Sequence, residues 1–223
     1  KAWNHPIHAI IFDNDGTLVD SEEGYSKAHL ISTGQPLTWD LKVRLMGHSL
    51  LEASQITVDE CHLNETAEDY GKRFEETLHT LMSQLNLMPG VMEMLTTLKK
   101  KGVRMCIATA STENSFKRKV SNHPEMIEFM DHCFTGDHVQ KGKPAPDLFL
   151  MALHKWEGIK PEEALVFEDS PLGIKAANNA GIPAIFVPDK NLDTESALGN
   201  IDAKPLLTIP SLTEFDYSKF IWE

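Results

Sequence analysis

Two aspartates, Asp13 and Asp15, are separated by a single residue and stand between an apolar run and the glycine at position 16. An apolar run of this kind predicts a buried parallel strand, and open α/β sheets bind ligands at the carboxyl ends of such strands. Two neighbouring carboxylates repel each other and need a compensating cation, and their hard oxygen atoms suit Mg²⁺. The same pair could also supply a nucleophile and a proton donor.

Three further polar segments follow predicted strands, so we expect them to converge on the same crevice. Their chemistry-bearing residues are Thr109, Ala110 and Ser111 in the first, Lys143 in the second, and Glu168 and Asp169 in the third. The candidate metal ligands are Asp13, Asp15, Glu168 and Asp169, since Mg²⁺ prefers octahedral oxygen coordination.

Phosphoryl transfer needs little beyond in-line positioning and neutralisation of the phosphoryl oxygens, and this set of groups offers both. Lys143, with the hydroxyl and backbone N–H groups at Thr109 and Ala110, would neutralise charge beside the metal. A carboxylate nucleophile would divide hydrolysis into two easier steps through an acyl phosphate.

Alternating strand and helix patterns predict the elements that position these groups. The strands are expected at residues 9–13, 103–109, 132–135, 164–168 and 182–187, with a weaker one at 203–209. Helices are expected at 90–101, 146–157 and 171–180, from apolar spacing, prolines near their starts and glycines after their ends. This order predicts an α/β fold with a Rossmann-like parallel sheet and helices on both of its faces.

Residues 21–87 interrupt the alternation, because they carry helical patterning and no buried strand. Turn signals occur at 33–36, 46–49 and 63–64, and residues 87–90 would form the return linker. We therefore expect a core domain at 1–20 and 88–223. A small helical bundle at 21–87 would form a cap over the crevice.

Composition excludes several classes of function. The formal net charge of −12 argues against a nucleic-acid partner, which needs a basic face. No apolar stretch approaches the length of a membrane span, and the first strand follows too soon for a signal peptide. Three widely spaced cysteines suggest reduced thiols and a cytoplasmic location. Lys1 need not be the native start.

The four strand-end segments resemble the four motifs of the haloacid dehalogenase superfamily of phosphohydrolases in order, residue type and spacing. The resemblance covers residues 7–20 and 88–190, and the helical insert resembles the alpha-helical cap of one large subgroup. It implies that Asp13 is the nucleophile and that Asp15 is the general acid/base, with its backbone carbonyl on the metal. It also implies that Thr109 binds phosphate, that Lys143 balances charge, and that Glu168 and Asp169 complete the Mg²⁺ site.

The resemblance favours phosphate chemistry, because dehalogenases proper lack the second aspartate that stands here as Asp15. Within the superfamily the chain looks most like pseudouridine-5′-phosphatase relatives, and glycerol-3-phosphatases and beta-phosphoglucomutases are similar at fewer places. The mutases carry a histidine after the first motif and basic residues around the cap glycine, where this chain has Tyr25, Met46 and Leu50. We therefore expect a monomeric phosphatase of a small phosphorylated metabolite. A phosphomutase and an inactive binding module are the alternatives.

The helical insert contains the candidates for substrate specificity, namely Tyr25, Arg44 and His48, with Lys42 beside them. Three other positions have competing interpretations. Asp20 is expected to cap the first helix of the insert, Ser111 could bind phosphate or form a local turn, and Lys117 is expected in solvent.

Overall fold

The computed structural model describes residues 1–45, 48 and 50–222. The chain divides into two compact units, one formed by Lys1–Asp20 with Asn86–Glu223 and the other by Ser21–Leu85. We call them the sheet unit and the helical unit. Residues 46, 47 and 49 of the turn expected at 46–49 lie outside the described residues, and so does the position of Met46 in the comparison with mutases.

The sheet unit contains a parallel sheet of six strands in the order β4-β3-β2-β5-β6-β7 and a two-stranded parallel ribbon of β1 and β8. The strands are β1 Pro6–Ile7, β2 Ala9–Phe12, β3 Arg104–Ala108, β4 His132–Phe134, β5 Ala164–Glu168, β6 Ala184–Phe186, β7 Leu207–Thr208 and β8 Ile221–Trp222. β2 lies between β3 and β5, and every residue in it is buried. A strand with neighbours on both edges and cover on both faces needs a continuous apolar sequence, which explains the run that precedes Asp13.

The register of the central strands aligns the residues that follow them. Phe12 of β2 pairs with Ile107 of β3 and with Phe167 of β5. Asp13 and Glu168 therefore stand at the same level on neighbouring strands, and Thr109 stands just beyond β3.

The helical unit consists of four α-helices within the described residues: α1 Ser21–Thr33, α2 Trp39–Leu45, α3 Leu50–Glu60 and α4 Ala67–Leu81. α4 packs against both α1 and α3. Thr66 caps α4 by accepting a hydrogen bond from the Asp69 backbone N–H at 3.2 Å. No strand occurs in the described part of this unit, as the sequence predicts.

The described part of the sheet unit contains six α-helices: α5 Val91–Lys100, α6 Glu113–Val120, α7 Pro124–Ile127, α8 Asp147–His154, α9 Pro171–Asn179 and α10 Thr194–Gly199. α8 and α9 pack on the sheet through a continuous apolar core that includes Ile11, Cys106, Phe149 and Ile174.

The predicted fold class is confirmed, and the expected elements differ from the observed ones mainly at their ends. α8 ends at His154, three residues earlier than expected, and the following turn ends at Gly158, whose φ is +80°. The expected strand at 203–209 is reduced to β7. The ribbon of β1 and β8 was not predicted, because two-residue strands are too short for a periodic pattern.

Candidate active site

Three carboxylates meet at the carboxyl ends of β2 and β5. Asp13, Glu168 and Asp169 each offer an oxygen, and these oxygens lie within 4.8 Å of one another. Asp13 follows β2, Glu168 ends β5 and Asp169 comes next, so the parallel register of two central strands builds this cluster.

Lys143 lies against two of these carboxylates. Its Nζ is 3.0 Å from Asp13 Oδ1 and 2.6 Å from Glu168 Oε1. Burial disfavours a charged lysine, but the Asp13 and Glu168 carboxylates outweigh that penalty and hold the pKa of Lys143 above its ordinary value. Lys143 is therefore a permanent cation that balances one of the negative charges.

The remaining negative charge favours binding of a cation. Burial, and then the Glu168 carboxylate, raise the pKa of Asp13 to about 7. Burial, with Asp13 and Glu168 beside it, also raises the pKa of Asp169. Three carboxylates, of which two share a single ammonium group, form a hard-oxygen donor set that fits a divalent cation such as Mg²⁺.

Two glycines allow the acidic cluster to pack this closely. A Cβ on Gly16, whose φ is +78°, would lie 2.1 Å from Asp169 Oδ2. A Cβ on Gly173 would lie 1.8 Å from Glu168 Oε1. A residue with a side chain at either place would displace a carboxylate, so both positions require glycine for steric reasons.

The Asp15 carboxylate lies outside this cluster and has other partners. Its Oδ1 is 2.6 Å from Lys119 Nζ, and its Oδ2 accepts a hydrogen bond from Ser111 Oγ at 2.7 Å. The carboxylate of Asp13 therefore belongs to the acidic cluster, and the carboxylate of Asp15 does not. The expected metal contact through the Asp15 backbone carbonyl stays a prediction.

Lys119 is a polar residue of this site that the sequence motifs do not single out. It lies on α6, whose buried residues are Phe116, Lys119 and Val120. The signal was available, because positions spaced by three and four residues share one helix face, and a lysine in the middle of an apolar face is unusual. Lys117 on the same helix is exposed, as expected.

The segment after β3 contains Thr109, Ala110 and Ser111, and Ser111 connects it to Asp15. Thr109 is fully buried, and its Oγ1 accepts a hydrogen bond from the Ser111 backbone N–H at 3.2 Å. Ala110, next in the chain, is exposed. Ser111 combines a local turn through its backbone with a contact to Asp15 through its hydroxyl. Phosphate binding by Thr109, Ala110 and Lys143 stays a prediction.

Two of the three specificity candidates line a cavity inside the helical unit. The cavity has a volume of about 370 Å³, and Tyr25 and His48 are among its lining residues, together with Lys42. Arg44 is not among them, and its guanidinium forms ion pairs with Glu60 at 2.8 Å and Asp40 at 3.9 Å. The structure thus groups Tyr25, Lys42 and His48 and leaves Arg44 apart.

Two further properties concern the chain as a whole. None of the helices in the described ranges is long and apolar enough to cross a membrane. Cys61, Cys106 and Cys133 are free thiols.

Named proteins from several organisms are similar to this chain in sequence. The (DL)-glycerol-3-phosphatase 1, mitochondrial, of Arabidopsis thaliana is 39% identical over 84% of this chain and 66% of its own length. A candidate pseudouridine-5′-phosphatase of Drosophila melanogaster is 35% identical over 83% of each chain. The two identities are similar, so they do not separate the two substrates.

A solved structure shares both units of the chain. The candidate beta-phosphoglucomutase of Thermotoga maritima covers 91% of this chain and 94% of its own, with a TM-score of 0.76 and 30% identity. The family model described as haloacid dehalogenase-like hydrolase matches residues 10–187, which include all four strand-end segments. The chain belongs to the haloacid dehalogenase-like hydrolase family.

Proposed function

We propose that this protein is a Mg²⁺-dependent phosphatase that hydrolyses a small phosphorylated metabolite through an aspartyl-phosphate intermediate. The cluster of Asp13, Glu168 and Asp169, with Lys143 paired to the first two, carries this proposal. It is supported by two relatives that are named as phosphatases of small phosphate esters.

Asp13, Glu168 and Asp169 would hold the metal, with the backbone carbonyl of Asp15 that the family resemblance adds. Bound Mg²⁺ would act as a Lewis acid that neutralises charge on the phosphoryl oxygens. Lys143 would supply a second, fixed positive charge beside the same oxygens.

In the first step, the Asp13 carboxylate attacks phosphorus, and an O–P bond forms as the bond to the leaving oxygen breaks. Asp15 gives its proton to that oxygen, so the organic product leaves as an alcohol. In the second step, water attacks the aspartyl-phosphate and gives a proton to Asp15. Inorganic phosphate and the free Asp13 carboxylate result. Thr109 and Ala110 donate hydrogen bonds to the phosphoryl oxygens throughout.

We propose that the helical unit acts as the substrate-recognition cap that the family resemblance implies. Its cavity presents an aromatic ring, an ammonium group and an imidazole from Tyr25, Lys42 and His48. Such a lining suits the organic part of a sugar, nucleoside or polyol phosphate. We also propose a monomer in the cytoplasm, in keeping with the three free thiols.

Release of inorganic phosphate from p-nitrophenyl phosphate, with Mg²⁺ and with excess chelator, tests the function. Activity should require Mg²⁺ and should be abolished in Asp13→Asn. Asp202→Asn, at an exposed position of the same unit, is the matched control and should keep full activity. Equal rates for the wild type and Asp13→Asn would overturn the proposal.

A panel of glycerol, sugar, nucleotide and glycolate phosphates would identify the substrate class. The same panel tests the mutase alternative, which the Thermotoga maritima neighbour keeps relevant. A mutase would interconvert sugar phosphates without releasing phosphate, whereas we expect release.

A further inference from the structure

A second buried lysine forms an ion pair with Asp15, as Lys143 does with Asp13. Lys119 is only 6% exposed, and its Nζ lies 2.6 Å from Asp15 Oδ1 and 3.1 Å from Ser111 Oγ. Ser111 Oγ in turn donates to Asp15 Oδ2 at 2.7 Å. The three side chains form a closed triangle in which both oxygens of the Asp15 carboxylate have a partner.

The position of Lys119 needs a functional explanation, because it lies on an otherwise apolar helix face. Lysine is rarely buried unless it is paired, and burial of its ammonium group is expensive. Lys117, two residues earlier, follows the ordinary pattern, with an exposed Nζ paired to Glu113 at 2.6 Å. α6 therefore directs one lysine into solvent and the other at the proposed acid/base.

We infer that Lys119, with Ser111, is a positioning residue that fixes the Asp15 carboxylate for proton transfer to the leaving oxygen. The inference rests on the proposed function, which gives Asp15 that role. Proton transfer requires donor and acceptor within hydrogen-bond reach. An ammonium on one carboxylate oxygen and a hydroxyl on the other restrain the rotation of the group, so that it is already oriented when the substrate binds.

This role predicts a dependence on the leaving group. An alkyl phosphate expels a strongly basic alkoxide and needs the proton of Asp15, whereas p-nitrophenolate leaves readily without it. Loss of Lys119 should therefore reduce kcat/KM much more for an alkyl phosphate than for p-nitrophenyl phosphate. A role in folding, or in binding the phosphate that both substrates share, would reduce the two equally.

The test compares Lys119→Met with Lys117→Met on both substrates. We expect kcat/KM of Lys119→Met to fall about 100-fold for the alkyl phosphate, within the usual range for general acid catalysis, and only a few-fold for p-nitrophenyl phosphate. Lys117→Met should match the wild type on both. Equal losses on the two substrates, or no loss on either, would overturn the inference.

Two further variants keep the test decisive if Lys119→Met folds poorly. Lys119→Arg retains the charge and should recover part of the alkyl phosphate activity. In an Asp15→Asn background, Lys119→Met should add less than a few-fold loss, because residues that act through one another are not additive. If the losses in kcat/KM from Asp15→Asn and Lys119→Met multiplied in the double variant, Lys119 would act independently of Asp15 and the inference would be wrong. If Asp13→Asn abolishes activity while Lys119→Met lowers kcat/KM equally for the two substrates or not at all, the proposed function stands and only this inference fails.

Discussion

The sheet unit and the helical unit differ in how their candidate functional residues are arranged. In the sheet unit, the polar groups of the site lie in dense, paired contacts, with Lys143 on Asp13 and Glu168, and Lys119 on Asp15. In the helical unit, the candidate recognition residues surround a cavity of about 370 Å³. Six of the seven exposed large apolar side chains among the described residues belong to the helical unit, and the seventh, Leu172, belongs to the sheet unit.

This difference indicates how the two tasks are divided. Reaction chemistry needs charges at fixed positions, and buried ion pairs on the ends of a sheet hold them there. Recognition of an organic group needs mainly shape and apolar surface, which a few helices can provide with many different sequences. Substitutions should therefore affect the two units differently, both in size and in dependence on the substrate.

The largest effect is expected from Lys143→Met in the sheet unit. Removal of the ammonium leaves the Asp13 and Glu168 carboxylates facing each other without compensation. We expect kcat/KM to fall about 1000-fold for every substrate, by loss of a charge-stabilising group. The free energy of unfolding should fall by about 3–5 kcal/mol, the range for breaking a buried ion pair.

Urea unfolding and steady-state kinetics measure both quantities for Lys143→Met. Lys100→Met, at an exposed position on α5, is the control and should change neither. A loss confined to one substrate would contradict the division of tasks, because it would make Lys143 a recognition residue.

The second prediction concerns Gly16→Ala. The new Cβ would collide with the Asp169 carboxylate in addition to straining a backbone at φ +78°. Gly102 has a similar φ of +73° but no atom within 4 Å of its Cβ position, so Gly102→Ala isolates the strain. We expect about a 100-fold loss of activity in Gly16→Ala, comparable to loss of one charge-stabilising group.

Gly102→Ala should lose only about 1 kcal/mol of stability and no activity. Phosphate release and thermal unfolding of both variants provide the measurement. If the two variants lost activity equally, backbone strain alone would be the cause and the acidic cluster would not be involved.

The third prediction moves to the helical unit and is smaller. Tyr25→Ala should change the ratio of kcat/KM between two phosphate esters with different organic groups by about tenfold, the usual effect of one apolar contact in a pocket. Arg44→Ala should leave this ratio unchanged, because Arg44 pairs with Glu60 and is not part of the cavity lining. A uniform loss on all substrates in Tyr25→Ala would place Tyr25 in the reaction chemistry instead.

The smallest effect is a dependence of stability on pH in the helical unit. Burial holds the pKa of His29 below its ordinary value of 6.5, so the unfolded chain takes up a proton at this position more readily than the folded one. The stabilisation from neutral His29 is therefore complete above pH 6.5 and is lost as the pH falls below that value.

Urea unfolding at pH 7.5 and pH 5.5 tests this. The free energy of unfolding of the wild type should fall more between the two pH values than that of His29→Gln, which cannot titrate. Equal falls would show that His29 is protonated as readily in the folded protein as in the unfolded one.

The sequence predicted the sheet unit well for a physical reason. Central parallel strands need continuous apolar runs, and the polar residues that follow them, such as Asp13 and Glu168, must gather at one edge. The helical unit offered no such constraint. Tyr25, Arg44 and His48 looked equivalent in the sequence, and only the packing of the helices places Tyr25 and His48 on a cavity and Arg44 on Glu60.

The sequence by itself determined the fold class and the kinds of chemical group at the site, because strand periodicity and the order of polar segments are local properties of the chain. The tertiary structure alone decided how the charges are paired. Asp13 and Asp15 are two residues apart, yet each has its own lysine, one 130 residues away on a loop and the other on α6. Such pairings depend on which side chains meet in the folded protein, and no local sequence pattern specifies which distant residues will meet.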